Sequence, residues 1–131
     1  MRIIMTHRRI LLLAFLAVST GQAFAHGGGR GVNGGVIGEI GDRHVEVLAR
    51  DGEIRVWVLD AHDHPVTAAG ASGSVIVLAQ GRSQTLPLAA GEGGAFLVAR
   101  GEFRADRAMR VVATLTLPGQ PQRQARFTPV E

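Results

Sequence analysis

The sequence predicts one antiparallel all-β sandwich of seven or eight strands, and three observations lead there. From Val36 onward apolar residues alternate in short runs, the pattern of strands with one buried face. Turn residues separate the runs at a spacing of about 8–12 residues, as in all-β sandwiches. No segment keeps a helical apolar period beyond one turn.

In chain order, the first element is an export signal over 1–25. Arg2, Arg8 and Arg9 give it a basic start, Ile10 to Val18 is an unbroken apolar run, and Ala23-Phe24-Ala25 offers small residues to a signal peptidase. The apolar run is shorter than the about 20 residues that span a bilayer, so no membrane span is expected in the mature form. Arg8-Arg9 has a trace of twin-arginine character, but the apolar core favours the ordinary secretory route. Cleavage after Ala25 makes His26 the new amino terminus and places the protein in the periplasm. A glycine-rich run, His26 to Gly35, follows and is expected to be a flexible arm, because ordering glycine costs more backbone entropy than ordering any other residue. The remainder, 36–131, is the sandwich domain.

Val36 to Ile40 is a short first strand. His44 to Ala49 puts Val45, Val47 and Ala49 on one face, and Ile54 to Leu59 does the same with Ile54, Val56 and Val58. Asp51-Gly52 between them predicts a type I′ hairpin, with Arg50 opposite Glu53, Val47 opposite Val56 and His44 opposite Leu59. The other face of that pair then carries Glu46 opposite Trp57. Ser74 to Leu78 and Gln84 to Leu88 form a second hairpin around Gly81-Arg82-Ser83. Further strands are predicted over Ala95 to Ala99, Arg110 to Leu117 and Gln122 to Thr128. Phe96, Phe103 and Phe127 are assigned to the core or its edge.

Composition removes several functional classes. The 14 basic residues are all arginine, and losing Arg2, Arg8 and Arg9 with the signal brings them level with the 11 acidic residues. The arginines are dispersed and aromatics are few, so nucleic acid is not an expected partner. Cysteine and tyrosine are absent. No disulfide, thiol nucleophile or phenolic acid is therefore available. No Gly-x-Ser-x-Gly elbow occurs, and no helix follows the glycine runs to make a phosphate loop. An enzyme is not expected.

Val58 to Val77, with Asp60, Pro65-Val66, Gly70-Ala71 and Val75 to Val77, resembles a pattern of immunoglobulin-like and prealbumin-like bacterial sandwiches. His26-Gly27-Gly28, Gly41 to Val47, Asp51-Gly52, Pro65-Val66 and Leu115 to Gly119 resemble small periplasmic proteins found with heavy-metal efflux systems. They also resemble a segment near the start of some periplasmic adaptor subunits of resistance-nodulation-division metal pumps. That resemblance implies an accessory role beside a transport path. Those proteins often carry Asp-Gly before the Pro-Val; this chain has Asp63-His64, which alters the turn or adds a ligand.

The histidines are the candidate ligands. Imidazole suits copper, zinc and nickel, and Met109 is the only thioether beyond the signal, which disfavours a methionine-rich copper site. His26 offers a terminal amine and a ring on one residue; the other reading, that of an unstructured tag followed by three glycines, is the commoner one for such ends. Asp60, His62 and His64 are spaced two apart and would share one side of an extended chain, although the same residues suit a solvated turn. His44 is expected near that turn through its pairing with Leu59. The metal set is thus His26, His44, His62 and His64 with Asp60 and Asp63, holding a divalent ion weakly at one end of the domain. The expected function is a non-enzymatic accessory of divalent heavy-metal homeostasis or efflux, partnered by a component of an efflux complex or another envelope protein. The alternative is a metal-free sandwich that docks an envelope protein through an outward strip of Trp57, Leu59 and Glu46, unless Val36 to Ile40 or Phe127 covers Trp57.

Overall fold

The computed structural model describes residues 29–130. The expected export signal over 1–25 and the candidate ligand His26 lie outside the described residues. The chain is all-β and antiparallel. Its strands are β1 Val36–Ile40, β2 Arg43–Arg50, β3 Glu53–Leu59, β4 Pro65–Val66 and β5 Ser72–Ala79. Then follow β6 Arg82–Ala90, β7 Leu97–Arg100, β8 Arg110–Thr116 and β9 Arg123–Phe127, with a 3-10 turn at Glu92–Gly94 before β7. Hydrogen bonding runs β1-β2-β3-β7-β6-β5-β8-β9, and the two-residue β4 adds to β3.

That path curls into a nearly closed barrel. β6 makes the corner: it pairs with β5 along most of its length and with β7 only through Ala89 and Ala90. Pro87, which has no N–H to donate, falls where β6 has a neighbour on one side only. β1 and β9 end the hydrogen-bonded path yet lie against each other, with the Phe127 ring pressed onto Gly38 where a Cβ would overlap it.

The alternation seen in the sequence sets the core. Val45, Val47, Ile54, Val56, Val75, Val77, Val111, Ala113 and Leu115 all point inward and are fully buried. The β2–β3 ladder has the expected register, from His44↔Leu59 to Arg50↔Glu53. A one-residue slip would turn six apolar side chains outward, so burial and turn enforce the same pairing.

Two turns differ from expectation. Only Gly52 in the Asp51-Gly52 turn takes positive φ (75°), so the turn is not type I′. It is docked instead on the loop ahead of β8: Gly52 N–H donates to Phe103 O at 2.9 Å, and Ala105 N–H donates to the Asp51 carboxylate at 2.8 Å. Those contacts set the turn's shape in place of its intrinsic preference. The second hairpin turns at Gln80-Gly81, because Ala79 pairs with Arg82. Gln80 adopts left-handed φ (48°) with its amide fixed by Arg104 O, Arg104 N–H and Asp106. Its side-chain bonds offset a conformation that glutamine otherwise avoids.

The Gly-rich arm is held down over its described part, 29–35. Arg30 bridges to Val36, Ile37 N–H donates to Gly29 O, and the tip of the resulting hairpin closes over β2. A buried acceptor on β2 gives the backbone N–H groups of Asn33 and Gly35 a partner there. Among the described residues, no helix is long and apolar enough to cross a membrane.

Candidate functional site

The rim where β1 meets β2 and β3 meets β4 carries most of the candidate ligands. After β3 the chain turns sharply. The Asp60 carboxylate accepts N–H bonds from His62 at 2.8 Å and His64 at 3.0 Å. Asp60 N–H donates to His64 O at 2.9 Å, and Asp63 takes left-handed φ (61°). Aspartate suits both roles, accepting bonds from residues just ahead and tolerating positive φ. Asp60, His62 and His64 therefore do not line one side of an extended strand; they form a turn.

Pro65 and Val66 return the chain alongside Leu59 and Val58. That return brings Asp63 back over the start of β2, where His44 stands opposite Leu59. His44 Nδ1 meets Asp63 Oδ1 at 2.5 Å, and Nε2 faces Glu39 Oε1 at 3.6 Å. Glu39 was not singled out in the sequence. Its signal was there: Gly41-Asp42 as a two-residue turn pairs Ile40 with Arg43 and hence Glu39 with His44. The His62 and His64 rings are neighbours, with centroids 6.4 Å apart, and His64 Nδ1 lies 3.9 Å from Asp60 Oδ2. Among the described residues, no three or more such side chains converge tightly enough to hold an ion without moving.

The local field follows from these contacts. The hydrogen bond to Asp63 raises the His44 pKa above its ordinary 6.5; partial burial opposes the shift, and the charges of Asp63 and Glu39 add to it. The N–H bonds from His64 and then His62 lower the Asp60 pKa below its ordinary 3.8. A raised folded-state histidine pKa stabilises the fold fully below the unfolded value of 6.5, and the gain is lost as pH rises through the folded value. Stability of the wild-type protein should therefore decline through that window more than stability of Asp63→Asn. Chemical denaturation at a series of pH values, beside the NMR titration of His44, checks this; equal pH profiles would remove the His44–Asp63 pair as a contributor.

The outward strip is not a free surface. Leu59 and Glu46 are fully buried and Trp57 is 8% exposed. The loop before β7 folds across the outside of β3 and lays Phe96 on Trp57, ring centroids 5.5 Å apart, with the Arg55 guanidinium 4.7 Å from the Phe96 ring centre. Phe127, expected as an alternative cover, lies instead on Gly38.

Glu46, expected on an outward docking strip, is instead a buried acceptor. Its carboxylate accepts from Asn33 N–H at 2.9 Å and Gly35 N–H at 2.8 Å on Oε1, and from the Asn33 side-chain amide at 3.0 Å on Oε2. A Cβ at Gly31 would fall inside that carboxylate, so only glycine lets the hairpin come this close. A polar side chain predicted opposite a tryptophan, beside a run of glycines, was the available clue.

No family model matches the chain, nor does any curated protein or any solved structure.

Proposed function

We propose that the protein is an exported, non-enzymatic accessory of divalent heavy-metal homeostasis or efflux. In this reading it works in the periplasm, has an immunoglobulin-like or prealbumin-like ancestry, and takes copper, zinc or nickel weakly at the histidine rim. One observation supports this above the rest: His44 is oriented by Asp63 on Nδ1 and keeps Nε2 toward solvent and Glu39, on the rim that also carries His62 and His64. A carboxylate on one ring nitrogen fixes the tautomer and aims the other at a metal. Glu39 Oε1 is the donor beside it, the exposed His62 and His64 rings stand on the turn that supplies Asp63, and the mature amino terminus at His26 would add an amine and a ring. Because the donors must move to converge, ordering opposes binding, and affinity is modest. The partner in this role is a component of a metal-efflux complex.

Calorimetric titration of residues 26–131 with copper, zinc and nickel salts tests the reading. His44→Ala, and separately the His62→Ala/His64→Ala pair, should each weaken binding by about tenfold or more, the scale on which ligand and supporting groups act. Binding by those variants equal to wild type would overturn it.

A further inference from the structure

The arm hairpin is fastened in an unusual way. Val32, at its tip, is 70% exposed, and Arg30 and Gly34 are also exposed, so the hairpin buries no large apolar side chain. What holds it is one bridge to β1 and the three N–H bonds to Glu46. Glu46 is itself fully buried and stands directly opposite Trp57 in the ladder. A carboxylate has only acceptors, so the Asn33 side chain must present its NH2 to it. Two of the three bonds come from the backbone N–H groups of Asn33 and Gly35, and the third, to Oε2, needs a donor in the side chain of residue 33.

Residue 33 is followed by Gly34, which has no side chain to shield its nitrogen. In the closed hairpin that nitrogen donates to Gly31 O at 3.0 Å, and the Asn33 amide is committed to Glu46. Both reacting groups are therefore occupied while the hairpin is closed and released when it lifts.

We propose that Asn33–Gly34 is a deamidation site whose conversion unfastens the arm hairpin from Glu46 irreversibly. In the open hairpin the Gly34 nitrogen loses its proton and attacks Asn33 Cγ. The Cγ–Nδ2 bond breaks, ammonia leaves with that proton, and a five-membered succinimide remains. Water opens either carbonyl, giving aspartate or isoaspartate. One water is consumed and one ammonia released, with no oxidant or reductant. The product cannot refasten, because an aspartate at position 33 brings an acceptor-only group against the Glu46 carboxylate. Two carboxylates sharing one desolvated site repel unless one is protonated. The modification adds one negative charge and acts through repulsion and desolvation, as other charge-adding modifications do. The hairpin is thus a one-way device, protected when shut and locked open once it reacts.

Hydrogen exchange read by mass spectrometry and NMR tests both halves. Asn33→Asp should exchange the amides of Asn33's neighbours Gly35 and Ile37 on the order of tenfold faster than wild type, the scale of losing a hydrogen bond to a charged group. Strands β5 and β8 should be unaffected. The Asn33→Asp/Glu46→Gln pair should restore slow exchange, since the glutamine NH2 can donate to the new carboxylate. Wild type and Glu46→Ala are then incubated at mildly alkaline pH and followed by peptide mapping. Conversion at position 33 should be faster in Glu46→Ala, and converted wild-type molecules should show the fast-exchanging hairpin. Unchanged exchange in Asn33→Asp, failure of the pair to restore it, or no faster conversion in Glu46→Ala would each overturn the proposal.

Discussion

Trp57→Ala should cost about 3–5 kcal/mol of folding stability, the range for truncating a large buried aromatic. The side chain is 8% exposed and makes a tilted aromatic pair with Phe96, so its loss removes both buried area and a specific ring contact. It also undoes the reason for the loop before β7 to lie across the sheet. Phe96 would lose its platform and Arg55 its stacked ring, and that loop should become the first region to exchange. Since a domain of this size has a total stability of about 5–15 kcal/mol, the variant should be close to unfolding at body temperature. Trp57 is the sole tryptophan, so its own fluorescence cannot follow the variant; urea denaturation by circular dichroism can. In the wild type the same residue should emit at a blue-shifted wavelength. A change in the urea midpoint corresponding to well under 1 kcal/mol would mean that the outer cluster contributes little.

Leu115→Ala probes the other side of the wall. Leu115 is fully buried in the interior near the end of β8 and pairs across to Gly73 on β5 and Arg123 on β9. Gly73 has no side chain to fill a void, so the cavity left by truncation cannot collapse from that direction. The expected loss is about 2–5 kcal/mol, toward the upper end because relaxation is restricted. A two-state urea titration with an unchanged slope should show it as a shift in midpoint alone. Tolerance of the substitution would argue that the interior is looser than the packed side chains indicate.

Much of the framework was legible in the residues. Val45 to Ala49 and Ile54 to Val58 alternate cleanly about Asp51-Gly52, and two independent signals, turn position and face, agreed on a register that the fold adopts. Val111, Ala113, Leu115 and Leu117 were read in phase for the same reason and are all buried. That register also placed His44 beside the Asp60 turn, which is how His44 comes to meet Asp63. What could not be read was anything decided by a distant segment. The burial of Trp57 depends on a loop forty residues or so further on, as loops between strands can cover a face that alternation alone marks as outward. β7 begins at Leu97, later than the predicted Ala95, because Ala95 and Phe96 belong to that covering loop. The Gln80-Gly81 turn was hidden because its left-handed residue is held by the loop ahead of β8 rather than by its own preference. The burial of Glu46 could not be read because alternation marks its face as solvent, and only the hairpin makes it an interior.

Phe127 on Gly38 joins the first strand to the last without a shared ladder. Nearly the whole described chain must be in place before those two residues can meet, so the contact forms against the largest loop-closure entropy in the molecule. Local hairpins such as Asp51-Gly52 and Gln80-Gly81 can assemble early, while ring closure waits. The ring therefore shuts last and parts first, and a transiently gaping ring would show the edge of β9 and the part of β1 beyond its arm bridge to neighbouring chains, making this junction the natural starting point for aggregation.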